Sequence, residues 1–255
     1  MDVRWITAFV DRPGDAGFAA TVDFWSQVSG SSLSPWRGDH DEFATLVPDD
    51  GADPHLRVQR TQTTDAAGSH LDLHVPDVRA GAAECVELGA SVTADHGGYV
   101  VLVTPGGMPF CVVRHQGERR RQAPVAVGGA PVDTLLDQVC VDADPDRFAD
   151  EVRFWSGVTG WSPLPARAPE FVPLDRPSTM PLRVLLQRRD APSGRTSCHL
   201  DFACDDVVAA TAAHEALGAS SVSPHRHWTV MADPSGAEYC LTGRRPATGV
   251  RAPEG

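Results

Sequence analysis

The sequence predicts an α+β fold made of two tandem copies of one domain, each copy being a pair of βαβββ modules. A helical pattern with a Phe-Trp pair occurs twice, in residues 18–26 and 148–156. A strand pattern of His, Leu, Asp and an apolar residue also occurs twice, in residues 70–73 and 199–202. Because these segments recur in the same order, the repeating unit is a whole domain rather than a short solenoid repeat.

The helices follow from apolar residues at helical spacing. The first helix of each copy is predicted over residues 15–29 and 145–159, and the second over residues 77–88 and 205–217. The second helices begin on aspartate, which favours a helix N-terminus, and all four are followed by glycine, which stops a helix. Trp25 and its counterpart in the second copy are expected in the core rather than at a ligand.

Short segments rich in β-branched and aromatic residues predict the strands. Examples are residues 42–47, 55–60 and 228–231, which are bounded by turn-forming residues. Each module is therefore expected to contain a strand, a helix and three short strands.

The repeat also sets the expected domain limits. Residues 1–116 and 132–246 are predicted to form the two domains. Residues 117–131, which are rich in Arg, Gly, Pro and Ala, are predicted to be a solvated linker. Residues 247–255 are predicted to be a C-terminal tail.

The composition indicates a globular chain with an acidic surface. Hydrophobic residues make up 42% of the sequence, enough for a core in each domain, and the formal net charge is −12. An acidic surface repels phosphate backbones and anionic membranes, so neither nucleic acid nor membrane is an expected partner. No apolar run approaches the roughly 20 residues that cross a bilayer. The first residues also lack the apolar core of a signal peptide, and we expect a cytoplasmic protein.

Cysteine spacing and the common catalytic motifs narrow the function further. The six cysteines lie far apart without CxxC pairs, and we expect reduced thiols. The sequence has no GxxxxGKS/T phosphate loop, no GxGxxG after a strand, no GxSxG elbow and no HExxH motif. Nucleotide hydrolysis and serine hydrolase chemistry are therefore not expected.

The repeated His-x-Asp strand carries the main candidates for chemistry. His70 and Asp72 are two residues apart, so both project to one face while the neighbouring leucines project toward the helices. His199 and Asp201 have the same spacing in the second copy. A carboxylate beside a neutral imidazole orients the ring and favours its protonated form, so each pair can serve as a general acid or base. The alternative is a hydrogen-bonded structural pair, which its presence in both copies favours.

Four segments of the second copy carry a family resemblance. They are FWSGVTGW at residues 154–161, CHLDF at 198–202, LGA at 217–219 and DPSGAEYC at 233–240. With the order of elements, they resemble the vicinal oxygen chelate (VOC) superfamily of glyoxalase-like and bleomycin-resistance-like proteins. The resemblance covers nearly all of residues 3–116 and 132–243. It implies that each pair of modules curls into a half-open barrel whose concave face binds a metal, a substrate or a drug.

The resemblance also implies three metal-ligand positions in each copy, on the first, fifth and last strands. In the second copy they fall on Gln138, His199 and Cys240. In the first copy the first position falls near Thr7 and the last on Cys111. The superfamily usually has Glu at the last position, and cysteine selects softer ions such as zinc. We therefore expect no cofactor, with a zinc-like divalent ion at the second-copy positions as the alternative.

Other residues are candidate substrate contacts. Gln59 and Gln187 recur in the strand before each His-x-Asp strand, where they would either face the ligand or satisfy strand-edge backbone. His227, Trp228 and Glu238 lie around the expected mouth of the second barrel. Because the second copy carries more titratable groups, we expect the ligand there.

These residues predict a small-molecule enzyme of the glyoxalase-like type that catalyses a proton transfer, such as an isomerase, lyase or cyclase step. His199 would act as acid or base and Asp201 would orient it. One alternative is a non-catalytic protein that sequesters a metabolite or antibiotic, since an acidic surface suits a cationic ligand. Another is a metal-dependent glyoxalase or dioxygenase. The expected partner is a small molecule and the expected state a monomer or homodimer, and the fold does not identify the substrate.

Overall fold

A computed structural model describes residues 1–62, 68–166 and 168–251. The first copy contains two modules of a strand, a helix and three strands, as predicted. Its elements in chain order are β1 (Trp5–Pro13), α1 (Phe18–Val28), β2 (Ser31–Leu33), β3 (Phe43–Pro48), β4 (Leu56–Thr61), β5 (Gly68–Val75), α2 (Val78–Glu87), β6 (Ser91–Asp95), β7 (Tyr99–Val103) and β8 (Pro109–Arg114).

The second copy follows a short strand and a 3-10 turn at Val127–Gly129, and it repeats this order with one strand fewer between its first helix and its His-x-Asp strand. Its elements are β9 (Val125–Ala126), β10 (Asp133–Ala143), α3 (Phe148–Thr159), β11 (Phe171–Pro173), β12 (Arg183–Arg188), β13 (Ser197–Cys204), α4 (Val207–Ala216), β14 (Ser220–Pro224), β15 (Trp228–Ala232) and β16 (Glu238–Gly243). An isolated bridge between Pro163 and Leu174 lies between α3 and β12.

The strands form two eight-stranded mixed sheets, one in each copy. The first has the order β2-β3-β4-β1-β5-β8-β7-β6, and the second has the order β11-β12-β10-β13-β16-β15-β14 with β9 paired to β10. In both sheets the strand that carries His-x-Asp runs parallel to the last strand of its copy, as β5 with β8 and β13 with β16. Two mixed sheets with four helices confirm the predicted α+β fold class.

The helices begin and end where local chemistry dictates. Asp77 and Asp206 cap α2 and α4, because each carboxylate accepts two backbone N–H groups of the first turn. Gly160 ends α3 in the left-handed conformation, with φ of 70°, which glycine adopts without steric cost. α1 and α3 start three residues later than predicted, because a hydrogen-bonded turn precedes each of them. In these turns the backbone carbonyl of Asp15 or Asp144 accepts from the N–H group three residues later. None of the described helices is long and apolar enough to cross a membrane.

The segment between the copies is ordered by specific contacts. The backbone N–H of Arg120 donates to Asp53 at 2.7 Å, and the amide of Gln122 donates to the carbonyl of Ser29 at 2.6 Å. Val127 is fully buried. The predicted linker is therefore partly packed rather than wholly solvated. Within the predicted tail, residues 252–255 lie outside the described residues.

The chain divides into two compact units, each of which combines elements of both copies. The first unit consists of Met1–Phe9, Ser69–Arg119 and Val139–Cys198. It contains α2 and α3, and its aromatic core has Trp155 against Phe110 and Phe154, with ring centroids 5.9 and 5.4 Å apart.

The second unit consists of Val10–Gly68, Arg120–Gln138 and His199–Gly255. It contains α1 and α4, and in its core Trp25 stacks on Phe202 and meets Tyr239 edge-on. Trp25 and Trp155 are both almost fully buried, which confirms that the two tryptophans belong to the core.

Candidate functional site

The second unit brings together four residues that the sequence singled out. Gln138 lies on β10, His199 and Asp201 on β13, and Cys240 on β16. Asp201 and Cys240 are direct partners across the parallel pair β13 and β16. Because side chains alternate along a strand, His199 lies on the same sheet face as Asp201.

Asp201 is held from two sides. One carboxylate oxygen, Oδ2, accepts a hydrogen bond from the amide nitrogen of Gln138. The other, Oδ1, lies 3.3 Å from Nε2 of His199. The side chain of Asp201 is 3% exposed and that of His199 is 20% exposed. A fixed, buried carboxylate therefore lies beside an imidazole that is partly exposed to solvent.

A buried ion pair lies in the same unit. Arg244 binds Asp137 with both guanidinium Nη atoms, at 2.8 and 2.7 Å. Burial disfavours the charged form of Arg244, but the carboxylate of Asp137 outweighs burial and raises the pKa of Arg244 above its ordinary value. The charge of Asp201 acts in the same direction. The guanidinium thus contributes a permanent positive charge close to Asp201.

The predicted substrate contacts of the second unit lie along the same sheet face or at its edge. Val230 is the cross-strand partner of Cys240. Trp228 lies two residues before Val230 on β15, and Glu238 lies two residues before Cys240 on β16, so the two flank this pair on opposite sides. Trp228 is half-buried and Glu238 is exposed. His227 and Gln59 are also half-buried in this unit.

The first unit repeats the arrangement with different neighbours. His70 stacks on Phe9, with ring centroids 4.2 Å apart, and Asp72 is the cross-strand partner of Cys111. Burial raises the pKa of Cys111, a hydrogen bond with His70 lowers it, and the charge of Asp72 raises it, with a net increase. Cys111 is therefore a neutral thiol at neutral pH. Gln187, also in the first unit, accepts from the thiol of Cys140 at 3.4 Å.

The donor atoms of the second unit fit a soft divalent metal. His199, Asp201 and Cys240 each offer one ligand atom, and these atoms lie within 4.8 Å of one another. Imidazole, carboxylate and thiolate are donors that zinc accepts in an open site with water in the fourth position. Gln138, the ligand expected from the first strand, presents its amide nitrogen to Asp201. The first unit offers the same three residue types.

Sequence reasoning missed several buried polar groups. Asp233 and Glu151 each accept a hydrogen bond from a core tryptophan, although Glu151 stands four residues before Trp155, a spacing that predicts contact on a helix. His74 and Glu118 form another buried cluster with a second histidine. A signal was present there too, because His74 lies two residues beyond Asp72 and thus on the same face of its strand.

A family model for the glyoxalase-like domain matches residues 8–113 and 138–242. Among solved structures, the chain resembles the 2,3-dioxygenase LapB from Pseudomonas sp. KL28, at 14% identity and a TM-score of 0.61, covering 92% of this chain and 90% of that one. It also resembles a mutant of 4-hydroxymandelate synthase from Streptomyces coelicolor, at 14% identity and a TM-score of 0.59, covering 98% and 96%. At this identity the likeness concerns the fold. A comparison with curated protein sequences gave no significant match. Because the family model covers most of both copies, this chain belongs to the glyoxalase-like domain family, within the VOC fold, with two tandem copies of the domain.

Proposed function

We propose that the protein is a small-molecule enzyme that catalyses a proton transfer, with His199 as the acid or base and Asp201 as its positioning residue. The observation that carries the proposal is the buried chain from Gln138 through Asp201 to the accessible ring of His199. The reactions that such a group serves include isomerisation, elimination and ring closure next to a carbonyl.

The proposal gives each nitrogen of the His199 ring a separate role. Asp201 faces Nε2 of His199, which favours the tautomer with the proton on Nε2 and stabilises the ring when it becomes protonated. The nitrogen that exchanges a proton with the substrate in this proposal is therefore Nδ1. The proton leaves the substrate carbon for Nδ1 and returns to another substrate atom, so the ring is regenerated without a co-reactant.

The second unit is preferred over the first because the two histidines have different neighbours. In the second unit the first-strand residue, Gln138, fixes the carboxylate of Asp201. In the first unit the first-strand residue, Thr7, contacts Nε2 of His74 at 2.9 Å, and His70 is stacked on Phe9. The second unit thus provides the better supported acid–base pair.

The proposal is tested by proton exchange, which does not require the natural substrate. The purified protein is incubated in D2O with a panel of small carbonyl and hydroxy acids, and loss of carbon-bound protons is followed by NMR. His199→Ala should slow the exchange of any accepted compound by roughly 10²- to 10⁴-fold while changing its affinity only by a small factor. Asp201→Asn should lower the rate less and alter its pH profile, because the ring loses its orienting charge.

His70→Ala is the matched control in the other copy. It should retain exchange and chiefly lower stability, by roughly 1–3 kcal/mol, through a lost buried contact. Loss of exchange in His70→Ala with retention in His199→Ala would place the chemistry in the first unit. Binding of a compound without any exchange, with affinity lost in His199→Ala, would instead favour a sequestering protein.

A metal-assisted enzyme is the second candidate, and the convergence of His199, Asp201 and Cys240 favours it. A bound zinc-class ion would polarise a substrate oxygen, while the same side chains would hold it in place. Elemental analysis distinguishes the two candidates. About one tightly bound ion per chain, lost in Cys240→Ser and His199→Ala, would support this candidate over metal-free proton transfer.

A further inference from the structure

A second cluster of donor atoms lies in the first unit, apart from the His-x-Asp pairs. His74 is on β5, and His115 directly follows β8, the strand parallel to β5. The backbone N–H of His115 donates to the carbonyl of Val75 at 2.9 Å, which fixes His115 at the end of the two strands. Glu118 follows three residues later, so two rigid strand ends and one short turn present the three side chains.

The carboxylate of Glu118 lies between the two imidazoles. Its Oε1 is 3.2 Å from Nδ1 of His74, and its Oε2 is 2.9 Å from Nδ1 of His115. Two ligands bound to one zinc ion at about 2.0–2.1 Å, at a tetrahedral angle, are about 3.3 Å apart. Each nitrogen is thus about as far from a Glu118 oxygen as two ligands of one ion, and one ligand atom of each residue lies within 4.8 Å of the others. We propose that His74, His115 and Glu118 bind a zinc-class divalent ion, with water as the fourth ligand.

The orientation of His115 supports an ion over a simple hydrogen bond. Its Nδ1 is buried, and among the described residues this atom has no hydrogen-bond partner, although Oε2 of Glu118 is within 2.9 Å. The ring therefore does not point at the oxygen. An ion that contacts both atoms lies to one side of the line between them, so a nitrogen that coordinates it need not make a hydrogen bond of standard geometry to the oxygen.

Surrounding groups hold the ligands as they do in known metal sites. Nε2 of His74 contacts the hydroxyl of Thr7 at 2.9 Å, which holds the ring with its Nδ1 toward Glu118. The backbone N–H of Gln116 donates to Glu118.

The second copy shows what the first copy lacks. Arg244 occupies the repeat position of His115, and Ala203 that of His74. In the second copy, the guanidinium of Arg244 supplies a permanent positive charge for the buried carboxylate of Asp137. In the first copy, two imidazoles, which carry a charge only when they are protonated, lie against the largely buried carboxylate of Glu118, whose side chain is 11% exposed. A largely buried carboxylate needs a positive partner, and a bound cation provides it.

Such an ion would act on structure rather than on turnover. Glu118 lies at the start of the segment between the two copies, while His74 and His115 belong to the sheet. Binding would therefore fasten the start of this segment to the ends of β5 and β8. The side chain of His115 is 15% exposed and that of Glu118 is 11% exposed, so the edge of the cluster reaches the surface.

The test uses the full-length protein, stripped of metal with a chelator and dialysed against zinc. Elemental analysis should find one equivalent that is lost in His115→Ala and in Glu118→Gln and retained in the controls His70→Ala and His199→Ala. Thr7→Val should weaken zinc affinity roughly tenfold or more, because an outer-shell partner of a ligand is removed. Circular dichroism of the metal-free variants should match the metal-free wild type, which establishes that lost binding is not lost folding.

Cobalt identifies the site in the unaltered protein. The other metal-donor clusters within the described residues each contain a cysteine. A cobalt ion at His74, His115 and Glu118 should therefore give tetrahedral absorption bands without a thiolate-to-cobalt charge-transfer band. Failure to bind zinc, a thiolate band in the cobalt protein, or full binding by both His115→Ala and Glu118→Gln would overturn the proposal.

Discussion

The two units both bury a carboxylate beneath a core tryptophan, but they neutralise it differently. In the second unit, Oδ2 of Asp233 accepts from Nε1 of Trp25 at 3.0 Å and from two guanidinium nitrogens of Arg12 at 3.0 and 2.8 Å. Arg12 and Asp233 are 3% and 0% exposed, so this is a buried ion pair.

In the first unit the partners of the carboxylate are neutral. Oε2 of Glu151 accepts from Nε1 of Trp155 at 2.9 Å. Its Oε1 accepts from the hydroxyl of Thr104 at 2.5 Å and from the backbone N–H of Gly106 at 2.7 Å. A hydroxyl group and a backbone N–H thus take the place that the guanidinium has in the second unit.

The carboxylate and a threonine have exchanged places between the copies. Thr104 occupies the repeat position of Asp233 on the turn, and Thr21 occupies that of Glu151 on the helix. The indole N–H therefore donates to a carboxylate in each unit. The carboxylate comes from the turn in the second unit and from the helix in the first unit. Both units thus place a carboxylate at this indole N–H, while the groups that neutralise the carboxylate differ.

The difference in partners sets the acidity of the two groups. Burial is the largest influence on both and raises the pKa. For Glu151 the hydrogen bonds from Thr104, Gly106 and Trp155 only reduce this effect, so its pKa stays above the ordinary value of 4.5. For Asp233 the charge of Arg12 and its hydrogen bonds prevail, and its pKa falls below 3.8.

The largest expected effect comes from removing the guanidinium. Arg12→Met should lower the free energy of unfolding by about 3–5 kcal/mol, because a buried carboxylate is left without its cation. Urea unfolding at pH 7 measures the loss. Arg4→Met is the matched control, since Arg4 pairs with Asp2 on the surface and should contribute no more than about 1 kcal/mol. Equal costs for the two variants would mean that the buried pair does not stabilise the second unit.

A pH series should separate the two carboxylates by the sign of their effects. Glu151 has a raised pKa, so its native form favours the proton and its contribution declines as the pH rises from 4.5 through the folded pKa. Asp233 has a lowered pKa, so its contribution is present above 3.8 and is lost as the pH falls through the folded pKa. The cost of Glu151→Gln, about 1–3 kcal/mol at pH 4, should therefore shrink toward neutral pH, whereas that of Asp233→Asn should shrink on acidification.

These costs are obtained from urea unfolding between pH 3 and pH 7, with each variant compared with the wild type at the same pH. Slopes of the same sign for both variants would show that the partners of the two carboxylates do not set their acidity.

The smallest expected effect concerns another polar pair that only the second unit has. Nδ1 of His214 lies 2.9 Å from the hydroxyl of Tyr239, whereas the repeat positions in the first unit hold Cys85 and Phe110. Burial lowers the pKa of His214 to about 4, so the ring is neutral at pH 7 and the hydrogen bond is between neutral groups. Tyr239→Phe should cost about 1 kcal/mol in thermal or urea unfolding at pH 7.

Tyr99→Phe serves as the control, because Tyr99 is an exposed tyrosine and should change stability by less than about 0.5 kcal/mol. If Tyr239→Phe changes the free energy of unfolding as little as the control does, the second unit gains no stability from this hydrogen bond.

The sequence by itself determined the elements, their order and the candidate acid–base pairs. Helical spacing of apolar residues and the flanking aspartates and glycines are local signals, so α2 and α4 lie within about two residues of their predicted limits. The duplication was visible because two copies of one fold keep similar residues at equivalent positions. Alternation along a strand likewise placed His199 and Asp201 on one face without any tertiary information.

Tertiary structure alone decided which polar groups meet. Gln138 and Asp201 are 63 residues apart, and Arg12 and Asp233 are 221 apart, so no local pattern pairs them. The same holds for the two compact units, each assembled from segments of both copies. These pairings depend on which strands and helices pack together, and that choice comes from burying apolar surface over the whole chain. A hydrogen bond or ion pair then forms wherever packing leaves a buried polar group in need of a partner.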